Sequence, residues 1–361
     1  MHQEPSGVRI MAYTTIDDPS AHFHIQLWTG DDNADRLITN DANAGDFRPD
    51  LLILKNRSSV SSHGTFDSSR LASSESTVML RTNNTGAEED KVDRFGGFET
   101  DGFTVDGNDV DTNASGDSFV AWQWKANGGS TSSNTSGTIT STVQANTTAG
   151  FSIITYTGTG SAATIGHSLG VAPNWIIVKS RGNADVWNNL FDDIAIGETL
   201  EFNTYNMGTG VWNDTRPTST VFSINDTDPV NRSSGTFVAY CFAEKQGYSK
   251  FGKYTGNGST DGPFIYTGFK PAWIMIKNIT DNGESWEMWD NARDPYNILT
   301  KRLKAEDTGA EVPSTFMDFV SNGVKQRNYS GGYNNSGKSY IYMAFAEQPF
   351  VTSGGVPCTA G

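Results

Sequence analysis

The residues best suited to chemistry are three aspartates that each follow an aromatic: Phe66-Asp67, Phe191-Asp192 and Trp289-Asp290. They lie 12, 13 and 13 residues beyond Lys55, Lys179 and Lys277. Two carboxylates about 5 to 10 Å apart hydrolyse glycosidic bonds, one as acid and the other as base or nucleophile. A catalytic residue is needed once, whereas a turn-forming aspartate is needed wherever its turn recurs, and Asp readily bonds the backbone of its own turn. Asp192-Asp193 is a neighbouring pair, but adjacent strand residues point to opposite faces. The expected set of catalytic residues is therefore none.

The stretch Asp109-x-Asp111-x-Asn113-x-Ser115 spaces oxygen side chains as the start of a calcium loop does. It has Ala114 where that loop needs glycine and Val120 where it needs a bidentate Glu, and Asp31, Asn33 and Asp35 share these faults, so hairpin turns are expected. Of His2, His22, His24, His63 and His167, only His22 and His24 would share a strand face, and no third ligand is nominated. No GxSxG is joined to a triad, and the Gly-rich residues 156–160 lack the Lys-Ser/Thr of a phosphate loop. Metal-binding residues, cofactor-binding residues and cofactors are each expected to be none.

Nine tryptophans raise the question of sugar binding. Trp175 and Trp273 recur in one strand, Trp122 and Trp124 lie in another, and Trp289 belongs to the aromatic-Asp pair, as core residues would. Trp187, Trp212 and Trp286 do not recur, which frees them for a surface. The candidate glycan contacts are Trp212 and Trp286.

The elements that must position these residues repeat three times. Copies open with FHIQLWTG (23–30), FSIITYTG (151–158) and FGKYTG (251–256). Pro49, Pro173 and Pro271 then start the strands PDLLILK, PNWIIVK and PAWIMIK, with 6 residues from proline to lysine each time. The copies close on FVAWQW (119–124), FVAYCF (237–242) and YIYMAF (340–345). Alternation puts Val120, Trp122 and Trp124 on one face, matched by Val238, Tyr240 and Phe242 and by Ile341, Met343 and Phe345. Turn clusters separate these strands. Helical spacing is confined to residues 297–306, where a short helix is one reading.

The pattern predicts an all-β chain of three tandem homologous β-sandwich, jelly-roll-like modules with little helix. Module 1 spans 12–125, a Ser/Thr/Gly-rich linker or strap 126–149, module 2 150–245, module 3 248–350 and a tail 351–361. Of 361 residues, 26 are Lys or Arg and 41 Asp or Glu, a net charge of −15. That charge repels phosphate and anionic lipid, so nucleic acid is not an expected partner. No run approaches the roughly 18 apolar residues of a membrane helix, so no membrane insertion is expected. Cys241 and Cys358 permit one disulfide at most.

The segments MAYTTIDDPSAHF (11–23), NTTAGFSIITYTGTGSAATIGHSLGVAP (146–173), FGKYTGNGSTDGPFIYTGFKPAWIMIK (251–277) and YIYMAFAEQPF (340–350) carry a resemblance. With them the chain resembles repeat-containing virion proteins, tail-fibre-like or structural, of marine tailed bacteriophages. That pattern starts at Met11, which makes residues 1–10 an extension or an upstream start. The resemblance brings no catalytic residues. It implies a structural component of a tailed-phage virion, tail-fibre-like or surface-exposed, that contributes to recognition of a host-surface glycan or protein. Other virion proteins and a homotrimer are the partners expected, and the virion, assembled in the host cytoplasm, is the expected location. Two other readings share these residues: a capsid decoration or cement protein without receptor binding, and a polysaccharide depolymerase. The absence of coiled-coil heptads and collagen triplets favours the compact decoration protein over a slender fibre.

Overall fold

The computed structural model describes residues 12–40, 47–70, 78–90, 94–107, 109–204 and 206–359. His2, Met11 and the extension 1–10 lie outside them. The chain is all-β. Pro19–Ala21 and Asp228–Asn231, one turn each, are the helical segments among the described residues.

Each copy folds by the same antiparallel pairing. In copy one the opening strand Phe23–Thr29 pairs with the closing strand Ser118–Trp124. The closing strand pairs with the proline strand Leu51–Asn56, and that strand with the aspartate strand His63–Asp67. Copy two repeats this order with Phe151–Thr157, Thr236–Phe242, Trp175–Ser180 and Asn188–Phe191. Copy three does so with Ser249–Thr255, Ser339–Pro349, Phe269–Asn278 and Trp286–Asp290. Ser249, opposite Phe345, takes the place that Phe23 has opposite Trp124, so this copy opens two residues earlier than its phenylalanine suggested.

Side-chain alternation gives every main sheet two buried faces. The outer face packs in a core private to each copy: Leu52, Leu54 and Phe66 in the first, Ile176, Val178 and Leu190 in the second, Ile274, Ile276 and Trp289 in the third. A second layer covers it. In copy one that layer is the sheet of Arg36–Thr39, Gly102–Val105 and Phe95–Glu99, and in copy two the pair Ala163–Gly166 and Val221–Ile224. In copy three the main sheet continues through Val312–Val320 and Gly323–Gln326 to Phe264–Tyr266.

The inner faces of all three sheets share one core. At its centre the last ring of each closing strand meets the other two: Trp124 to Phe242 at 6.3 Å, Trp124 to Phe345 at 5.7 Å and Phe242 to Phe345 at 6.0 Å. Similar spacing among equivalent residues gives the chain an internal pseudo-threefold arrangement.

Two segments differ from expectation. Residues 126–149 are no free linker: Ser132–Asn134 and Ser141–Asn146 extend the copy-two sheet beyond its opening strand, with Ile139 and Val143 in the copy-two core. Buried Asp50 of copy one anchors the start of that segment, accepting the N–H groups of Ala126, Gly128 and Gly129 at 2.7 to 2.9 Å. Residues 297–306 hold the strand Leu299–Lys304, not a helix. Leu303 lies opposite Met288 and packs in the shared core, whereas Leu299, opposite Met317 across a register shift, packs in the copy-three core, so tertiary pairing overrides local helical preference.

Trp286 and Trp273 both sit in the shared core. Trp286→Ala is expected to destabilise the protein about as much as Trp273→Ala, by about 3 to 5 kcal/mol each. Urea unfolding of the two variants checks this, and an effect of Trp286→Ala near zero would contradict the shared core.

Candidate functional site

The recurrent aspartates serve the seams between copies. Asp67 and Asp290 are fully buried and each pairs at 2.5 Å with an arginine three residues on, Arg70 and Arg293. Each also accepts a donor from the neighbouring copy: Tyr240 Oη to Asp67 at 2.6 Å, Trp122 Nε1 to Asp290 at 3.1 Å. The charges continue outward. Arg70 reaches Glu88 at 3.4 Å, and Glu88 holds Arg181 of copy two at 2.8 Å. Arg293 reaches Glu311 at 3.3 Å, and Glu311 holds Arg57 of copy one at 2.7 Å. Neither buried carboxylate can reach a substrate.

Copy two breaks this pattern, and the sequence motif conceals where. Asp67 lies opposite Leu51 and Asp290 opposite Trp273, but the residue opposite Trp175 is Phe191, not Asp192. Asp192 and Asp193 are exposed. Phe191 replaces the buried aspartate, Ile194 stands where the arginine would be, and Met343 holds the place of Tyr240 and Trp122. All three lie in the shared core. The third seam has thus exchanged an ion pair and its donor for apolar side chains together, a substitution that buried ion pairs tolerate only when every partner changes.

The lysines that close the proline strands are also internal. Lys55, Lys179 and Lys277 are buried, and their ammonium groups donate to loop carbonyls, as Lys55 Nζ does to Asn56 O at 2.7 Å and Thr308 O at 3.1 Å. Burial pushes each of them down to about 8.

Three buried asparagines, unnoticed in the sequence, tie the opening turns. Asn113, Asn231 and Asn334 accept from the backbone N–H of Asp31, Thr159 and Asn257 at 3.3, 2.9 and 2.9 Å. Those residues follow Gly30, Gly158 and Gly256, where any Cβ would collide with a carbonyl oxygen of Ala114, Arg232 or Asn335. The signal was present: each asparagine precedes by six residues the aromatic that starts its closing motif, Phe119, Phe237 or Tyr340.

Neither candidate glycan tryptophan faces solvent. Trp212 is 1% exposed in the copy-two core and Trp286 0% exposed in the shared core. Trp286 donates its indole N–H to Glu201 O of copy two at 2.9 Å, and Trp187 does the same to Arg81 O of copy one at 2.8 Å. His63 stands opposite Lys55 as Trp286 stands opposite Lys277, so Trp286 has a counterpart in every copy under different side chains. The stretch Asp109 to Ser115 is a turn whose acids are engaged by Arg94, at 2.6 Å to Asp109 and 2.7 Å to Asp111. Among the described residues no group of three His, Cys, Asp or Glu could hold a metal, and no helix is long and apolar enough to cross a membrane.

What remains is a surface groove on copy three. There the proline strand has 10 residues against 6 in the other copies, and the closing strand 11 against 7. The extension begins at a bulge around Lys270 and Pro271. Two depressions, of about 450 and 390 Å³, adjoin beside it and share Asn291, Pro295 and Glu347. Glu347 accepts from Asn291 Nδ2 at 2.8 Å and pairs with Lys270 Nζ at 3.1 Å. Asp294 accepts the backbone N–H groups of Thr300 and Lys301 at 2.6 Å each, which fixes the loop that presents Tyr296, 83% exposed, at the larger depression.

Residues 18–349 match the model of DUF7483, a domain of unknown function. The chain belongs to that family. No curated protein matches it. The DUF7483 match runs through all three copies and residues 126–149, so the family's unit is the triple and not the single copy.

Two outcomes follow for the internal polar groups. Asp67→Ala leaves Arg70 buried without its nearest partner and is expected to cost about 3 to 5 kcal/mol. The triple replacement Asp67→Phe, Arg70→Ile, Tyr240→Met, which copies the apolar seam, should restore most of that loss in urea unfolding. For the lysines, the folded value near 8 lies below the ordinary 10.5, so the unfolded chain binds more protons between these limits and stability rises with pH there. Urea midpoints should increase from pH 7.5 to 9.5, and the increase should shrink in Lys55→Met.

Proposed function

We propose that this chain is a structural subunit of a tailed-phage virion, a compact body on the particle surface whose unshared features meet the host. The observation that carries the reading is the division of labour between recurrent and unique residues. Recurrent aromatics, aspartates, lysines and asparagines are consumed in cores, seams and turns, as a scaffold requires. The feature added to one copy is a surface groove. The resemblance to virion proteins extends over nearly the whole chain and supplies the particle.

Other virion proteins are the proposed partners, with a homotrimer of the chain as the proposed assembly and the virion as its location. A decoration subunit of the capsid is the second reading, favoured by a compact three-copy body with no slender shaft among the described residues. Gold-labelled antibody against the protein, imaged on intact particles, tests the role. Label on tail or fibres supports host attachment and label across the head supports decoration, while a protein absent from purified particles would overturn both.

A further inference from the structure

We propose that the groove between Tyr296 and the Lys270–Glu347 pair binds a neutral saccharide of a host-surface glycan. The inference deepens the surface role proposed above and rests on it for the source of the glycan.

Four observations converge. The groove is an addition: Lys270 and Glu347 in its wall lie on the lengthened strands of copy three, which the other copies fold without. The corresponding loop of copy two, residues 192–197, carries no aromatic. The size is suitable, since clefts for small ligands measure roughly 300 to 1,000 Å³ and the larger depression is about 450 Å³.

The chemistry selects the ligand class. Tyr296 presents a ring at the mouth, a surface for the C–H face of a pyranose, with a hydroxyl at its tip. Lys270 and Glu347 neutralise each other at 3.1 Å, and Asp294 has Lys301 at 3.7 Å, so the groove offers donors and acceptors without a net charge to select an ion. Hydroxyl groups, which both donate and accept, suit such alternating partners. A chain with net charge −15 disfavours polyanions.

The test is ligand-observed NMR and titration calorimetry with the full chain against gluco-, manno-, galacto- and N-acetylglucosamine oligosaccharides, with polygalacturonate as the anionic probe. Saturable binding of a neutral oligosaccharide is expected. Tyr296→Ala should weaken it about tenfold or more, Tyr296→Phe should retain it, and Glu347→Gln should weaken it. Because Tyr296 is exposed, its variants keep the melting temperature of the parent. The proposal is overturned if no neutral member binds at millimolar concentration, if Tyr296→Ala binds as well as the parent, or if only polygalacturonate binds. Failure here is separable from failure of the virion role. A protein found on particles that binds no sugar sinks only the groove, and one absent from particles that binds sugar through Tyr296 sinks only the virion assignment.

Discussion

Contact among Trp124, Phe242 and Phe345 is the constraint on which the molecule depends. Each main sheet buries its outer face within its own copy, but its inner face, with rings as large as Trp122, Trp175 and Trp273, has nothing of its own to cover it. Aromatic side chains each bury roughly 150 to 250 Å², so an isolated copy would expose a broad apolar surface to water. Three copies resolve this together. The DUF7483 match, which runs through all three, has the extent that such mutual burial demands.

Polar groups at the seams determine how the copies sit against one another. Burying a carboxylate stabilises little by itself, because desolvation offsets most of the attraction, but it discriminates strongly against arrangements that leave it unpaired. Asp67 accepts from Tyr240 and Asp290 from Trp122, so each of these two seams matches one donor to one acceptor. The seam of copies two and three has no such carboxylate, and Trp286 donates across it to Glu201 O instead. These two copies are joined by the short stretch 243–248, and proximity along the chain lessens the need for a polar key there.

The strands were legible in the sequence because proline, lysine and the closing aromatics kept their intervals through all three copies. The aspartate of copy two aligns falsely for a local reason. Lys55 faces His63, eight residues on, whereas Lys277 faces Trp286, nine on, so a difference of one residue in loop length brought the exposed Asp192 into apparent alignment with two buried aspartates. The place of Trp286 is hidden in the sequence because its counterparts, Trp187 and His63, differ from it in neighbourhood or in residue type. The groove was not nominated, since the exposure of Tyr296 depends on a bulge and a loop anchored by Asp294. Its trace in sequence is the run AEQPF (346–350), which follows YIYMAF and has no equivalent after FVAWQW.

Ser353 donates its N–H to Asp17 at 2.6 Å, and Tyr13 Oη donates to Gly268 O at 2.6 Å, so segments flanking copies one and three touch. The seam between those two copies carries its full polar key without any peptide connection across it. A circular permutant joined at this contact and opened within 243–248 would therefore keep every seam while making copy three the first to leave the ribosome.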